Sequence, residues 1–140
     1  LDSIKADIYL MTHTTNPLLY STTIKECLNA FLNSNADSNH DSLFTVTKHQ
    51  ARFYESNGKP INHNPKKLIP TQELEPWFEE NSNLYIFSRD SFHKTNARIG
   101  KNPLLFEQSS TESIDIDTPD DWVLAEAMMQ NRIKTNTYLK

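Results

Sequence analysis

The chain has 140 residues, 36% of them hydrophobic and 23% charged, a composition typical of one globular domain with a real core. A formal net charge of -4 gives no general attraction to nucleic acid or to an anionic membrane, so neither is expected as a partner. The one cysteine cannot form an internal disulfide, and no apolar run approaches the roughly 20 residues of a membrane span. These totals predict a soluble, cytoplasmic domain.

The first part of the chain predicts a strand, a helix and a second strand. Residues 6–11 (ADIYLM) and 42–47 (SLFTVT) are short apolar runs typical of strands covered on both faces. Between them, apolar side chains recur at helical intervals from Ile24 onward, and Thr23 and Glu26 have the spacing of a capping box. Such a βαβ unit implies a right-handed crossover and a parallel pair of strands.

The middle of the chain predicts a hairpin and an extended segment rather than further sheet and helix. The stretch ARFYESNGKP alternates and then turns at Asn57 and Gly58, which predicts a hairpin there. Three prolines between residues 65 and 76 argue for an extended excursion. We expect a single α/β domain over residues 1–140 in which an excursion at about residues 50–80 serves dimerisation.

The last part of the chain predicts three further strands and two helices. Strands are predicted at 83–88 (NLYIFS), 102–107 (NPLLFE) and 112–117 (ESIDID), and a short helix at 91–98 (SFHKTNAR). The last helix is predicted to run to about Arg132, with Thr118 as its N-cap and Pro119 in its first position.

Two aspartates in the last predicted strand are the leading candidates for chemistry. Alternate residues of a strand share a face, so Asp115 and Asp117 would lie on one side with Cα atoms roughly 6–7 Å apart. The carboxyl end of such a strand is where open α/β sheets bind ligands, and Mg²⁺ would relieve the repulsion between the carboxylates. Acidic residues before a helix also stabilise its N-terminus, which leaves both interpretations open. For Asp120 and Asp121 the helix-start role is favoured.

A polar loop after the first predicted strand should border the same crevice. It reads THTTNPLL (12–19), and His13, Thr15 and Asn16 offer donors and acceptors suited to a polyhydroxylated ligand. A loop that merely caps the next turn has the same polar character, so this interpretation stays open as well.

Other polar residues add to the candidates. Asn81 precedes a predicted strand and is either a turn residue or a ligand contact. Arg52 and Arg98 are among the cations available to meet an anionic substrate. Neither glycine, Gly58 or Gly100, lies in a phosphate-cradling pattern, so the sequence shows no nucleotide-binding glycine loop.

Three ordered segments carry a family resemblance: 12–19 (THTTNPLL), 80–87 (ENSNLYIF) and 113–129 (SIDIDTPDDWVLAEAMM). They resemble, in the same order, the QPTSPLR loop, the NGAIYI segment and the C-terminal signature of the acylneuraminate cytidylyltransferases, the CMP-sialic acid synthetases and their relatives. In that signature, Ile-Asp-Ile-Asp is followed by Thr or Ser, an acidic residue and Ala-Glu. The resemblance covers essentially all 140 residues.

The resemblance implies a nucleotide-diphospho-sugar transferase-like fold, a Rossmann-like mixed α/β sheet with flanking helices. The implied reaction joins CTP to an acidic nine-carbon sugar, giving the CMP-sugar and pyrophosphate, with Mg²⁺ as the expected cofactor. By the motif match, Asp117 is the implied metal ligand, with Asp115 as a second ligand or as support through water. His13, Thr15 and Asn81 map onto sugar-contacting positions.

The chain also departs from the family pattern. His13 stands where the family loop has Gln, Leu19 where it has Arg, and Ser82 replaces the glycine of the Asn-Gly pair. The arginine that the family places upstream of that pair has no counterpart, and Arg52 is the cation that we expect to supply the charge. The family's basic, glycine-rich loop (ARGGSKGIPGKN), which holds the CTP triphosphate, is not found. We therefore expect a C-terminal portion of such an enzyme, missing its N-terminal nucleotide-binding segment and inactive alone.

Two alternatives remain at the level of the sequence. One is a cytidylyltransferase for another acidic sugar, such as 3-deoxy-manno-octulosonic acid. The other is a non-catalytic α/β module that uses its excursion as a protein interface.

Overall fold

The computed structural model describes residues 1, 3–36, 40–135 and 137. Its elements follow in the order β1 (Ile8–Thr12), α1 (Ser21–Ala36), β2 (Ser42–His49), a 3₁₀ turn (Thr71–Glu73), β3 (Trp77–Ser88), α2 (Arg89–Thr95), β4 (Pro103–Glu107) and α3 (Pro119–Lys134). The chain divides into two compact units, one of residues 1–47 with 80–140 and one of residues 48–79. None of the helices in the described ranges has the length and apolar character that a membrane crossing requires.

Within the described residues, four strands form one sheet in the order β1-β3-β2-β4. β1 and β3 are antiparallel, with Ile8 opposite Ser88 and Thr12 opposite Leu84, whereas β2 and β4 are parallel. The predicted mixed α/β sheet with flanking helices is confirmed. The predicted direct pairing of the first two strands is wrong, because β3 lies between them. β3 suits an interior place because its residues 83–87 are buried without alternation.

Helix α1 packs against the sheet with one face. Cys27 and Phe31 of this helix join Leu43, Leu84 and Ile86 of the strands in one buried cluster. Burial, together with the nearby carboxylates of Glu26 and Glu112, raises the pKa of the Cys27 thiol to about 12. The thiol therefore stays protonated at neutral pH and is a core group rather than a nucleophile.

The start of α1 differs from the prediction. The helix begins at Ser21, so Thr23 lies in its first turn and the predicted capping box with Glu26 is wrong. The capping contact comes from a distant carboxylate. Glu112 accepts a hydrogen bond from the Tyr20 backbone N–H at 3.2 Å and from the Thr23 hydroxyl at 2.7 Å. A carboxylate in this place meets the partial positive charge at the start of a helix.

Residues 48–79 form a unit that is built around a hairpin turn. The Glu55 N–H donates to the Lys59 carbonyl oxygen at 2.8 Å, and Gly58 takes the left-handed conformation with φ +85°. The Phe53 ring stacks on Trp77 with centroids 5.4 Å apart. The predicted hairpin turn is confirmed, since its central glycine adopts the conformation that the Asn-Gly pair favours.

Candidate functional site

Two polar segments meet where β1 ends. The Ile116 backbone N–H donates to the Thr15 carbonyl oxygen at 2.9 Å. One residue further along the loop, the Asn16 Nδ2 group donates to the Ile114 carbonyl oxygen, two residues before Ile116, at 3.4 Å. These hydrogen bonds hold the loop after β1 against the segment that carries the two candidate aspartates.

That aspartate segment is not the predicted strand. Residues 112–117 take no part in the sheet. A turn precedes the aspartates, in which the N–H groups of Glu112 and Ser113 both donate to the Ser109 carbonyl oxygen, at 3.0 and 3.2 Å. The turn redirects the chain after β4, and the backbone groups beyond it bond to the loop instead of to a strand. The predicted placement of two carboxylates on one face of the sheet is therefore wrong.

The two aspartates have different surroundings. Asp115 is half-buried, and its Oδ1 atom is shielded from solvent without a hydrogen-bond partner in the described structure. Asp117 is exposed, and its backbone N–H donates to Asp121 Oδ2 at 3.3 Å. A buried carboxylate oxygen without a partner is costly, so this atom suits a cation.

The carboxylates of Asp115 and Asp117 supply some, but not all, of the oxygen ligands that Mg²⁺ needs. Oxygen ligands are what this ion prefers, and it commonly takes one or two carboxylates and completes its shell with water and substrate phosphate. No cluster of three or more His, Cys, Asp or Glu side chains that could enclose a metal occurs in the part of the chain that the structure describes. Asp115 and Asp117 would thus hold the ion only together with water or substrate oxygens.

The acidic residues that follow belong to the start of α3. Thr118 is the N-cap, and Asp121 Oδ2 accepts from the Thr118 backbone N–H at 2.8 Å and from its hydroxyl at 2.7 Å. The hydrogen bonds from Thr118 lower the pKa of Asp121. Asp120 lies exposed in the same first turn. The predicted helix-start role of these two residues is confirmed.

His13 lies beside a buried tyrosine that the sequence did not single out. The Tyr85 ring is 6.1 Å from the His13 ring, and the Arg98 guanidinium lies 4.0 Å above the tyrosine ring. Glu80 Oε1 accepts from the Tyr85 hydroxyl, and from Arg98 at 3.3 Å. Burial and the hydrogen bond to Glu80 raise the pKa of Tyr85. In the sequence Tyr85 is one member of an apolar run, and only the tertiary structure shows that its hydroxyl donates to the Glu80 carboxylate.

Asn81 has partners inside the protein at both ends of its amide. It is 8% exposed, and its Oδ1 accepts from the Thr45 hydroxyl at 2.7 Å. Its Nδ2 donates to Thr47 Oγ1 at 3.2 Å and to Gln108 Oε1 at 3.3 Å. The sugar contact predicted for Asn81 stays a prediction. The neighbouring Ser82 has a positive φ of 55°, a conformation that glycine, which the resembling family has at this place, adopts without strain.

The remaining predicted site residues are divided between the two units. Asn16 is buried, and its Oδ1 has no hydrogen-bond partner in the described residues, whereas the Thr15 side chain is exposed. Arg52 belongs to residues 48–79, where its guanidinium donates to the Ile69 carbonyl oxygen. The first unit carries the other candidates, namely His13, Thr15, Asn16, Asn81, Asp115 and Asp117.

An open apolar groove of about 290 Å³ borders the same segment at Ile116. Its lining includes Pro17, Leu18, Trp122 and Met129. The lining is mostly apolar and, with Glu126 and Gln130 as its clearly polar side chains, offers few of the convergent donors that a triphosphate or a polyhydroxylated sugar requires. The polar loop and the aspartates are therefore the chemically better candidate.

Comparison with known protein families bears on the whole chain. A family model described as cytidylyltransferase matches residues 1–139. The match includes the loop after β1, the aspartate segment and the start of α3.

Proposed function

The chain belongs to the cytidylyltransferase family, and we propose that it serves the transfer of a cytidylyl group from CTP to an acidic nine-carbon sugar. The products are the CMP-sugar and pyrophosphate. Family membership supports CTP and nucleotidyl transfer to a sugar, and the resemblance of the three segments to the acylneuraminate enzymes supports the acidic sugar. The observation that carries the proposal is the buried, unpartnered Asp115 Oδ1 on a segment that is hydrogen-bonded to the polar loop.

The aspartates are assigned to the metal side of the reaction. Asp115 and Asp117 would hold Mg²⁺, with Asp115 offering its buried oxygen and Asp117 its exposed carboxylate. A bound Mg²⁺ supplies positive charge against the negative charge that develops on the transferred phosphoryl group and on pyrophosphate. The chain's own contribution is position, because the backbone that carries Asp115 is tied to the loop on both sides, at Ile114 and at Ile116.

The loop is assigned to the sugar side. His13, Thr15 and Asn16 are proposed to bind sugar hydroxyl groups, for which they supply both donors and acceptors. The sugar's anomeric hydroxyl would attack the α-phosphorus of CTP in line, and pyrophosphate would leave from the opposite side. Arg98 is a candidate to meet the sugar carboxylate, because its guanidinium covers the tyrosine ring that neighbours His13.

Pyrophosphate release by the full-length protein tests this proposal. The assay contains CTP, Mg²⁺ and, in separate reactions, sialic acid or 3-deoxy-manno-octulosonic acid. We expect release with sialic acid and a loss of roughly 100-fold or more in Asp117→Asn, because an amide is a poorer cation ligand than a carboxylate. Asp120→Asn is the matched control, since Asp120 is an exposed neighbour at the start of α3 with no role in the proposed site, and its activity should equal that of the wild type.

The assay can also give three other results. Pyrophosphate release with 3-deoxy-manno-octulosonic acid alone would mean that the protein is a cytidylyltransferase whose substrate is that sugar and not sialic acid. An Asp117→Asn protein with full activity would remove this residue from the site. If the full-length protein neither binds CTP in calorimetry nor releases pyrophosphate, the proposal fails in favour of a non-catalytic module.

We also propose that the protein is a homodimer formed through residues 48–79. This unit exposes large apolar side chains, with Leu68 77% exposed and Tyr54 and Phe78 about half exposed. Apolar surface of this kind is typical of interfaces between copies. Light scattering should give twice the monomer mass, and Leu68→Lys should lower it toward the monomer. A wild-type protein that stays monomeric at high micromolar concentration would exclude the dimer.

A further inference from the structure

A buried carboxylate that has no part in the proposed chemistry lies three residues before Asp115. Glu112 is 8% exposed, and its Oε2 atom accepts three hydrogen bonds. The donors are the Thr23 hydroxyl at 2.7 Å, the Tyr20 backbone N–H at 3.2 Å and the Gln108 side-chain amide at 3.4 Å. Three donors on one oxygen hold the carboxylate in place, which suits Glu112 to an anchoring role.

The backbone of Glu112 is held as well. Its carbonyl oxygen accepts from Asn83 Nδ2 at 2.9 Å, and its N–H closes the turn to Ser109 at 3.0 Å. Asn83 is fully buried in β3 and also donates to Gln108 Oε1 at 3.0 Å. Glu112 is thus anchored to the sheet through its backbone and to the start of α1 through its side chain.

These contacts begin a row of hydrogen bonds that continues to the candidate site. The side chain of Glu112 bonds to Tyr20 and Thr23, the carbonyl of Ile114 accepts from Asn16, and the N–H of Ile116 donates to Thr15. The row joins residues 15–23 to residues 112–116. Its Glu112 end is the strong one, because bonds to an ionised group are about twice as strong as neutral ones and the helix start adds attraction.

We propose that Glu112 is a positioning residue, which sets the place of Asp115 and Asp117 relative to the loop after β1. It does so by fixing the aspartate segment to the first turn of α1. The consequence for cation binding rests on the proposed function, whereas the anchoring of the segment does not. Glu112 itself is expected to touch neither cation nor substrate.

Amide hydrogen exchange in the full-length protein tests the anchoring directly. Glu112→Ala should speed exchange of the Ile116 N–H by roughly 10-fold or more, because the charge-assisted anchor of its segment is lost. Glu112→Gln should restore most of the protection, since its amide oxygen can still accept from the same donors. Glu26→Ala removes an exposed carboxylate from α1, the helix to which Glu112 is bonded. This variant is the matched control and should leave the exchange rate of the Ile116 N–H unchanged.

Cation affinity is the second measurement, made by calorimetry with Mn²⁺ or Mg²⁺ alone at a temperature well below unfolding. We expect Glu112→Ala to weaken binding by roughly 10-fold and Glu112→Gln to weaken it far less. If Glu112 only stabilised the fold, Glu112→Ala would lower the unfolding temperature and leave the cation affinity of the folded protein unchanged.

The outcomes separate this inference from the proposed function. If exchange at Ile116 rises only in parallel with exchange in β3, Glu112 is a general stabiliser and the inference is wrong. If the wild type binds no cation, the metal assignment fails, and the exchange experiment still decides whether Glu112 anchors the segment. Should Glu112→Ala not fold, Thr23→Val removes the shortest of the three bonds and should speed exchange at Ile116 by roughly 3-fold. An unchanged rate in Thr23→Val would then overturn the inference.

Discussion

Replacing Thr45 by valine tests whether Asn81 is part of a buried polar network. Thr45 is 1% exposed, and its hydroxyl donates to Asn81 Oδ1 at 2.7 Å. The Thr45 Oγ1 atom also accepts from the Leu84 N–H at 3.0 Å. Valine has nearly the same shape, so the change removes the hydroxyl without opening a large cavity. It leaves the buried Leu84 N–H without this partner, at about 1–3 kcal/mol, whereas Asn81 Oδ1 keeps a longer hydrogen bond from the Asn83 N–H at 3.3 Å. Because valine also regains some energy from its apolar surface, we expect the free energy of unfolding to fall by about 2 kcal/mol.

Urea unfolding followed by circular dichroism measures this difference. In a chain of this size, about 2 kcal/mol corresponds to a fall of about 7 °C in the thermal midpoint. Thr22→Val, at an exposed position of α1, is the matched control and should change stability by less than about 0.5 kcal/mol. A loss below about 0.5 kcal/mol in Thr45→Val would show that the Leu84 N–H finds another partner, and the reasoning about the network would be refuted.

Three further substitutions test single contacts. Gly100→Ala would push a Cβ atom into the Asp41 carboxylate and should lower the free energy of unfolding by about 1–3 kcal/mol; an unchanged value would mean that Asp41 moves aside. Burial raises the pKa of Asp41, but hydrogen bonds from the N–H groups of Lys101 and Asn102 outweigh it and leave the pKa lowered. A lowered pKa gives stability that is present above the unfolded-state pKa and lost as pH falls through the folded one. The stability difference between wild type and Asp41→Asn should therefore shrink below about pH 4, and a difference that stays constant to lower pH contradicts this. Thr118→Ala removes the N-cap of α3 and should lower the free energy of unfolding by about 1 kcal/mol, with Thr118→Ser close to wild type in the same thermal scan.

The sequence alone determined the elements whose signals are local. The start of α3 was predictable because Thr118 and Asp121 cap each other within one turn, and the hairpin because Gly58 decides its own backbone conformation. The apolar runs of β2 and β4 gave strands for the same reason. The meeting of the loop and the aspartate segment was also expected, but for a reason that is wrong, namely that the segment is itself a strand ending at the same edge of the sheet.

Only the tertiary structure decided which distant groups pair. The sequence predicted that the first two strands are neighbours, but β3 lies between them, because strand order depends on contacts between segments far apart in the chain. The alternation of Ile and Asp predicted a strand at residues 112–117, yet the turn at Ser109 and the hydrogen bonds to the loop hold that segment outside the sheet. The capping of α1 by Glu112 joins residues about 90 positions apart, and no local pattern records such a pair. Composition and spacing could thus name the two aspartates, whereas their surroundings were fixed by long-range hydrogen bonds.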